Sequence, residues 1–348
     1  MLSYFDHIED YKELDALVEQ KINNALNESG IHTMQIQHRV KTADSVAGKL
    51  DRKPEKYSSA SDITDLVGFR IICYFTDQID MISSLIRDMF VIDWNNCVDK
   101  STTLSPNAFG YLSVHYICSL KHSDEYPSRL CRYKFEIQIR TVLQHTWAEI
   151  EHDLGYKNEF GVPLHVRREF SRMASLLEVA DEGFLRIKHT LEVYSANVID
   201  RLQKGEVADI ALDTLSLREF MKYNSDYIKL IDEIAELTGA NIIHANADPY
   251  LKQLSFLGIH DLGALVEAIR THHDLAITLA KDSLSMMEIE EFSSFVGLYY
   301  ICRAILIAGD YSEAELMKYF SMLTPKEIQA ERNTARILRQ RERYAKGS

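Results

Sequence analysis

The chain is 348 residues long, 46% of them hydrophobic, and its formal net charge is −13. That size allows two packed domains, while the acidic balance argues against nonspecific nucleic-acid binding by the molecule as a whole. Five cysteines, an odd number with no CxxC pair, argue against a disulfide framework or a cysteine-based zinc site.

The segment Tyr4 to Leu26 places Leu14, Leu17, Val18, Ile22 and Ala25 near helical spacing, with Gly30 as the stop, which predicts an amphipathic first helix. Acidic Asp6, Glu9 and Asp10 at the start do not suit a targeting leader, so a cytoplasmic location is expected. A basic segment, Arg39 to Lys53, and a serine-rich loop, Ser58 to Ser61, come next. Strand character is read at Phe69 to Phe75, Val91 to Val98, Tyr111 to Leu120 and Tyr133 to Arg140, with a helix at Ile79 to Phe90. From Thr141 onward Leu143, Trp147, Ile150 and Leu154 repeat at helical intervals, and no further strand is predicted. About six helices are expected after Gly161. Their boundaries are read at Gly239, Asp248-Pro249, Leu257-Gly258, Gly309-Asp310 and Thr324-Pro325-Lys326-Glu327. The apolar run Ser294 to Gly309 is interrupted by Arg303 and is short for a membrane span, so it reads as a buried helix. The division expected is residues 1–160 and residues 161–348.

The strands carry a second message. In Phe135 to Arg140 the alternation puts Glu136, Gln138 and Arg140 on one face. Tyr111, Ser113 and His115 share a face in the same way, and Arg70 shares one with Ile72 and Tyr74. A face that merely meets water is the plain alternative. Such a face ordinarily carries Lys, Glu and Thr, whereas an acid, an amide, arginines, an aromatic and a histidine can bind a nucleotide and a metal.

Five motifs follow in order. They are Arg39-Val40-Lys41 with Ser45, Lys49 and Arg52-Lys53; Asp65-Leu66-Val67-Gly68-Phe69-Arg70; Gly110-Tyr111-Leu112-Ser113-Val114-His115; Glu136-Ile137-Gln138-Ile139-Arg140-Thr141; and Trp147-Ala148-Glu149-Ile150-Glu151-His152 with Tyr156-Lys157. Together they resemble the RelA/SpoT synthetase domain, nearest to its small stand-alone members, over roughly residues 32 to 157.

The resemblance implies an α+β fold: a nucleotidyltransferase-like mixed β-sheet with flanking helices, followed by an all-α C-terminal domain. It implies transfer of pyrophosphate from ATP to the 3′-hydroxyl of GDP or GTP, with release of AMP, in a bacterial stringent response. Asp65 and Glu136 would be catalytic and hold Mg²⁺, with Glu136 drawing the acceptor's proton. ATP would be bound by Arg39, Lys41, Ser45, Lys49, Arg52 and Arg70, the two arginines Arg39 and Arg70 sandwiching adenine. The acceptor would meet Tyr111, His115, Gln138 and His145. No P-loop is present, since Gly48-Lys49 lacks its upstream glycine and its following Ser/Thr.

The chain departs from the family pattern at Leu112, where Arg or Gln is usual, and in the lysine-free Ser105 to Phe109. A lost cation weakens the grip on an acceptor's 5′-phosphates. That departure points to a toxin-type relative acting on tRNA 3′ ends or adenine nucleotides; separately, a non-catalytic nucleotide-binding regulator stays open, against which the retention of Asp65 and Glu136 counts. A tRNA acceptor and a homo-oligomer are left open as partners, and no membrane partner is expected.

His145, Glu149 and His152 share a helical face, but their spacing is not that of a zinc motif. His260-Asp261 and His272-His273-Asp274 are read as surface pairs rather than a hydrolase site. Arg332, Arg336, Arg339, Arg341 and Arg343, interspersed with Glu327, Glu331 and Glu342, are read as a salt-bridged solvent face.

Overall fold

The computed structural model describes residues 7–99, 113–155, 163–243, 245–284, 289–324 and 326–345, apart from residues 53, 56 and 58. The chain divides into two compact units, residues 1–189 and 190–348. That division falls inside a long helix, downstream of the boundary at residue 160 expected from the helical periodicity and the reach of the five motifs.

The first unit opens with helix α1 (Ile8–Glu28), whose Tyr11, Leu14, Val18, Ile22 and Leu26 are buried at helical spacing. Gly30, at φ +64°, ends the segment in a conformation that favours glycine. Then follow β1 (Thr33–Val40), α2 (Ala43–Arg52), β2 (Val67–Cys73), α3 (Thr76–Met89), β3 (Phe90–Ile92), β4 (Val98–Asp99), β5 (Val114–Leu120) and β6 (Phe135–Thr141). The six strands form one mixed sheet in the order β1-β2-β6-β5-β3, with β4 also paired to β5. Only β2 and β6 run parallel; the other pairs are antiparallel. Helix α4 (Val142–Gly155) leaves β6 directly, and α5 (Leu164–Lys204) contains the boundary between the units.

Alternation fixes which face is packed. Phe135, Ile137 and Ile139 of β6 are fully buried, as are Val67 and Ile71 of β2, with Phe69 nearly so. Phe135 meets Phe69 and Phe90 edge-on, with ring centroids 5.9 and 5.1 Å apart. A buried aromatic of this kind contributes roughly 1.5–3 kcal/mol by area alone. Helices α1 and α3 lie on strands of this sheet.

The structure corrects four readings. Thr33–Val40, where no strand was predicted, forms a strand at the sheet's edge. The run Val91 to Val98 is two short strands, because the Asn96 amide donates to Asp93 O at 3.1 Å and makes a turn between them. After residue 190 a pair of three-residue parallel strands appears, β7 (Asn241–Ile243) and β8 (Glu291–Ser293). Finally, eight helices rather than six follow residue 161 among the described residues.

The second unit holds the end of α5, then α6 (Thr214–Tyr223), α7 (Ser225–Glu236), α8 (Asp248–Phe256), α9 (Leu262–Leu284), α10 (Val296–Ala308), α11 (Glu313–Leu323) and α12 (Glu327–Ala345). Phe220, Tyr227, Leu230, Leu265 and Ile301 belong to its core. Gly297 lets α10 approach α7, since a Cβ there would stand 2.9 Å from both Ile231 and Tyr227. No helix among the described residues is long and apolar enough to cross a membrane.

Candidate active site

Strand register builds the site on the sheet face opposite Phe135, Ile137 and Ile139. Arg39 pairs with Gly68, and Gly68 with Glu136, so the three lie in one row across β1, β2 and β6. The adjacent row runs Gln37, Arg70, Gln138 and His115. Paired residues share a face, so the polar groups of four strands are gathered by pairing alone.

Asp65 enters from the turn before β2. Lys41, just past β1, donates from Nζ to Asp65 Oδ2 at 2.6 Å, and Lys49, from the second turn of α2, donates to Oδ1 at 2.7 Å. The Lys41 amide also donates to Leu66 O at 2.8 Å, tying the end of β1 to this turn. Burial by itself would push the Asp65 carboxyl up; the hydrogen bonds and charges of Lys41 and Lys49 outweigh it and hold the group below its usual range. Asp65 is therefore ionised.

Glu136 is held in a similar way from the other side. His115 Nδ1 lies 3.0 Å from Glu136 Oε1, and Gln138 Nε2 donates to Oε2 at 2.8 Å. The far nitrogen of His115 meets Ser113 Oγ at 2.8 Å, fixing the ring at both ends. Burial raises the Glu136 carboxyl and the charge of Asp65 adds to that. The hydrogen bond and charge of His115, with Gln138, outweigh both, so Glu136 too lies below its usual range.

Asp65 and Glu136 line one cleft of about 230 Å³, together with Gln37, His38, Arg39, Lys41, Gly68, Phe69, Arg70 and Gln138. Gly68 keeps the cleft open: a Cβ there would meet nothing within 4 Å, so the space between Arg39 and Glu136 is free.

At the rim, Arg70 Nη1 donates to Glu149 Oε1 on α4 at 2.8 Å and to Gln37 Oε1 at 3.2 Å. Glu149 Oε1 lies 3.9 Å from His145 Nδ1. Burial, and then the charges of Arg70 and Arg140, hold His145 below its usual range against the pull of Glu149, so its imidazole is neutral at pH 7.

Of the residues singled out from sequence, the cleft brings together Arg39, Lys41, Asp65, Arg70, Glu136 and Gln138. Lys49 reaches it through Asp65, and His115 through Glu136. His145 stands beside the Arg70–Glu149 pair. Ser45 and Arg52 lie on exposed parts of α2: Ser45 Oγ accepts from Thr42 Oγ1 at 2.9 Å, and Arg52 Nε donates to Gly48 O at 2.8 Å. Tyr111 lies outside the described residues. Gln37, His38 and Phe69 line the cleft without having been singled out; the Gln35, Gln37, Arg39 alternation was the signal for the first.

Residues 38–160 match the region found in RelA/SpoT proteins. The chain is 31% identical over 157 residues to GTP pyrophosphokinase YwaC of Bacillus subtilis, a match covering 44% of this chain and 73% of that protein. It is 28% identical over 170 residues to GTP pyrophosphokinase YjbM of the same organism, covering 48% and 77%. Among solved structures, small alarmone synthetase 1 of B. subtilis aligns with a TM-score of 0.47 at 24% identity, over 55% of this chain and 98% of that one. Small alarmone synthetase 2 aligns with a TM-score of 0.46 at 30% identity, over 54% and 98%. With a 31% identical relative matched over almost three quarters of its length, and a family region that contains both acidic residues of the cleft, the chain belongs to the RelA/SpoT family.

Proposed function

We infer that this chain is a GTP pyrophosphokinase, transferring the β,γ-pyrophosphoryl group of ATP to the 3′-hydroxyl of GDP or GTP and releasing AMP. The observation that carries the reading is a single cleft holding two ionised carboxylates, Asp65 and Glu136, beside the cations Arg39, Lys41 and Arg70. Two relatives named for this activity support it.

In this reading the acceptor's 3′-oxygen forms a bond to the β-phosphorus of ATP. The bond from that phosphorus to the oxygen bridging the α-phosphate breaks, and AMP keeps the electron pair. Glu136 takes the proton of the attacking hydroxyl; its low pKa keeps it ionised and ready to accept. His115 and Gln138 hold its two oxygens and so fix where the base points. Arg39 and Arg70 are assigned to the adenine, since guanidinium planes stack on aromatic rings. Lys41 and Lys49, with Ser45 and Arg52 on the same segment, are assigned to the phosphates. Tyr111, Gln138, His115 and His145 are assigned to the acceptor. In this reading the chemistry belongs to residues 1–160.

Asp65 and Glu136 are also the donors that would hold Mg²⁺, because carboxylate oxygens suit a hard cation. Bound there, the ion would neutralise charge developing on the phosphoryl oxygens. Among the described residues no three His, Cys, Asp or Glu side chains group closely enough to hold a metal by themselves. Nucleotide oxygens and water would complete its ligands.

The test is transfer of label from β-labelled ATP, run side by side on GDP, GTP, ATP and deacylated tRNA. Label on GDP or GTP is the expected result. Label on tRNA or an adenine nucleotide alone would favour the toxin-type reading to which Leu112 and the lysine-free Ser105 to Phe109 point.

A further inference from the structure

We propose that Glu149 is a positioning residue for ATP: from helix α4 it fixes the guanidinium of Arg70 at the rim of the cleft, ready to stack on the adenine. The proposal rests on the assignment of the cleft to nucleotide chemistry and adds to it a residue outside the strands.

The fork of Arg70 is gripped from two different elements. Glu149 Oε1 of α4 accepts from Nη1 at 2.8 Å, and Gln37 Oε1 of β1 accepts from the same nitrogen at 3.2 Å. Glu149 is also the acid that faces a group of bases. Burial and then the charge of Arg70 lower the Arg140 pKa, against the opposing pull of Glu149, to about 10. The same opposition is felt by His145. Without the Glu149 carboxylate, Arg70 and Arg140 would repel across this corner, and Arg70 would gain freedom to swing into solvent.

Glu149 is itself held in place by how α4 begins. Thr141 Oγ1 accepts from the Gln144 amide at 3.1 Å, and Gln144 Oε1 accepts from the Thr141 amide at 3.0 Å, a reciprocal cap. The Thr141 hydroxyl then donates to buried Asp181 of α5 at 2.7 Å. The helix start is therefore anchored in the core, and Glu149 projects from a fixed axis two turns later.

Stability is a poor explanation for the ion pair. The Glu149 side chain is 54% exposed, and exposed pairs contribute little to folding. Orientation is a better one. Arginine is among the side chains that lose most rotamer freedom when ordered, so ordering it before the nucleotide arrives removes that cost from binding.

The experiment compares wild type, Glu149→Ala and Glu149→Gln in the full chain. Binding of α,β-methylene-ATP is measured directly, alongside KM for ATP, KM for GDP, kcat and melting temperature. Glu149→Ala is expected to weaken analogue binding and raise the KM for ATP about tenfold, equivalent to about 1.4 kcal/mol. Glu149→Gln, which keeps an acceptor oxygen, is expected to fall between. The KM for GDP and kcat should stay within about twofold of wild type, and the melting temperature within about 2 °C. Analogue binding unchanged in Glu149→Ala would overturn the positioning role, as would equal losses for both nucleotides with a falling melting temperature. Wild type that fails to bind the analogue at all would overturn the nucleotide assignment itself, and this proposal with it.

Discussion

The ammonium of Lys49 stands 2.7 Å from one carboxylate oxygen of Asp65. Lys41 takes the other oxygen at 2.6 Å, so the carboxylate assigned to the metal is already neutralised. A divalent cation arriving alone would meet two positive groups at close range. Unit charges about 4 Å apart repel by roughly 4 kcal/mol at an effective dielectric near 20. The lysines can release Asp65 once a triphosphate receives them. Mn²⁺ followed by paramagnetic resonance should therefore bind wild type weakly alone and at least about tenfold more tightly with α,β-methylene-ATP, a coupling that is reciprocal. Lys49→Gln should tighten binding of Mn²⁺ alone while weakening the nucleotide. Equal Mn²⁺ affinity with and without nucleotide would contradict this.

Gly68 lies between Arg39 and Glu136 in the pairing, and a methyl group added there meets nothing within 4 Å. Gly68→Ala should therefore fold, and the loss of glycine's unfolded-state freedom should stabilise it by about 0.4–1 kcal/mol in denaturant titration. The same methyl projects into the cleft, so activity should fall about tenfold or more although stability rises. Full activity in Gly68→Ala would mean that the substrate does not use this space.

The two cleft carboxylates set an acid limit on stability. Both are held below their ordinary values of 3.8 for Asp65 and 4.5 for Glu136. A depressed pKa means that the unfolded chain binds the proton first. The stabilisation is complete above the ordinary value and is lost as pH falls through the depressed one. The difference in stability between wild type and Asp65→Asn should accordingly be constant above about pH 5 and shrink as the pH drops below 4. A difference that widens in acid would contradict the ion pairs with Lys41 and Lys49.

Asp181 should show the opposite sign. Burial raises its carboxyl above the ordinary 3.8, against the hydrogen bond from Thr141. Folding is therefore penalised as pH rises through that range, and the penalty persists at neutral pH. Asp181→Asn keeps an acceptor for the Thr141 hydroxyl without the charge, so it should melt higher than wild type at pH 7 and lose that advantage in acid. Asp181→Ala leaves the Thr141 hydroxyl without this acceptor and should cost about 1–3 kcal/mol at pH 7. A lower melting temperature for Asp181→Asn at neutral pH would contradict a raised pKa.

Legibility in the sequence followed burial. Phe135 to Arg140 alternates cleanly because one face is fully packed, and both its strand character and its polar set were readable. Thr33–Val40 was not, although Gln35, Gln37 and Arg39 alternate with Met34, Ile36 and His38. It is an edge strand with no fully buried residue, only Ile36 and Val40 packing partly against the core, so the apolar half of the pattern is weak. Strands β7 and β8 have three residues each, too few for any period to declare itself. Asp65 stands alone in a turn and was legible only through the family resemblance. Its meeting with Glu136 depends on the parallel pairing of β2 with β6, which local spacing does not encode. Glu149 was seen as a helical neighbour of His145, but its ion pair with Arg70, 79 residues away, was not.

The most direct measurement is transfer of labelled pyrophosphate from ATP to GDP by wild type, Asp65→Asn and Glu136→Gln, with melting temperature recorded for each. Wild type should form the 3′-pyrophosphorylated product and AMP in equal amounts. Each variant should remain folded and lose about 10²-fold or more of the rate, the range expected when a general base or a metal-holding carboxylate is removed. Folded variants that transfer label at the wild-type rate would contradict the assignment of the chemistry to the cleft shared by Asp65 and Glu136.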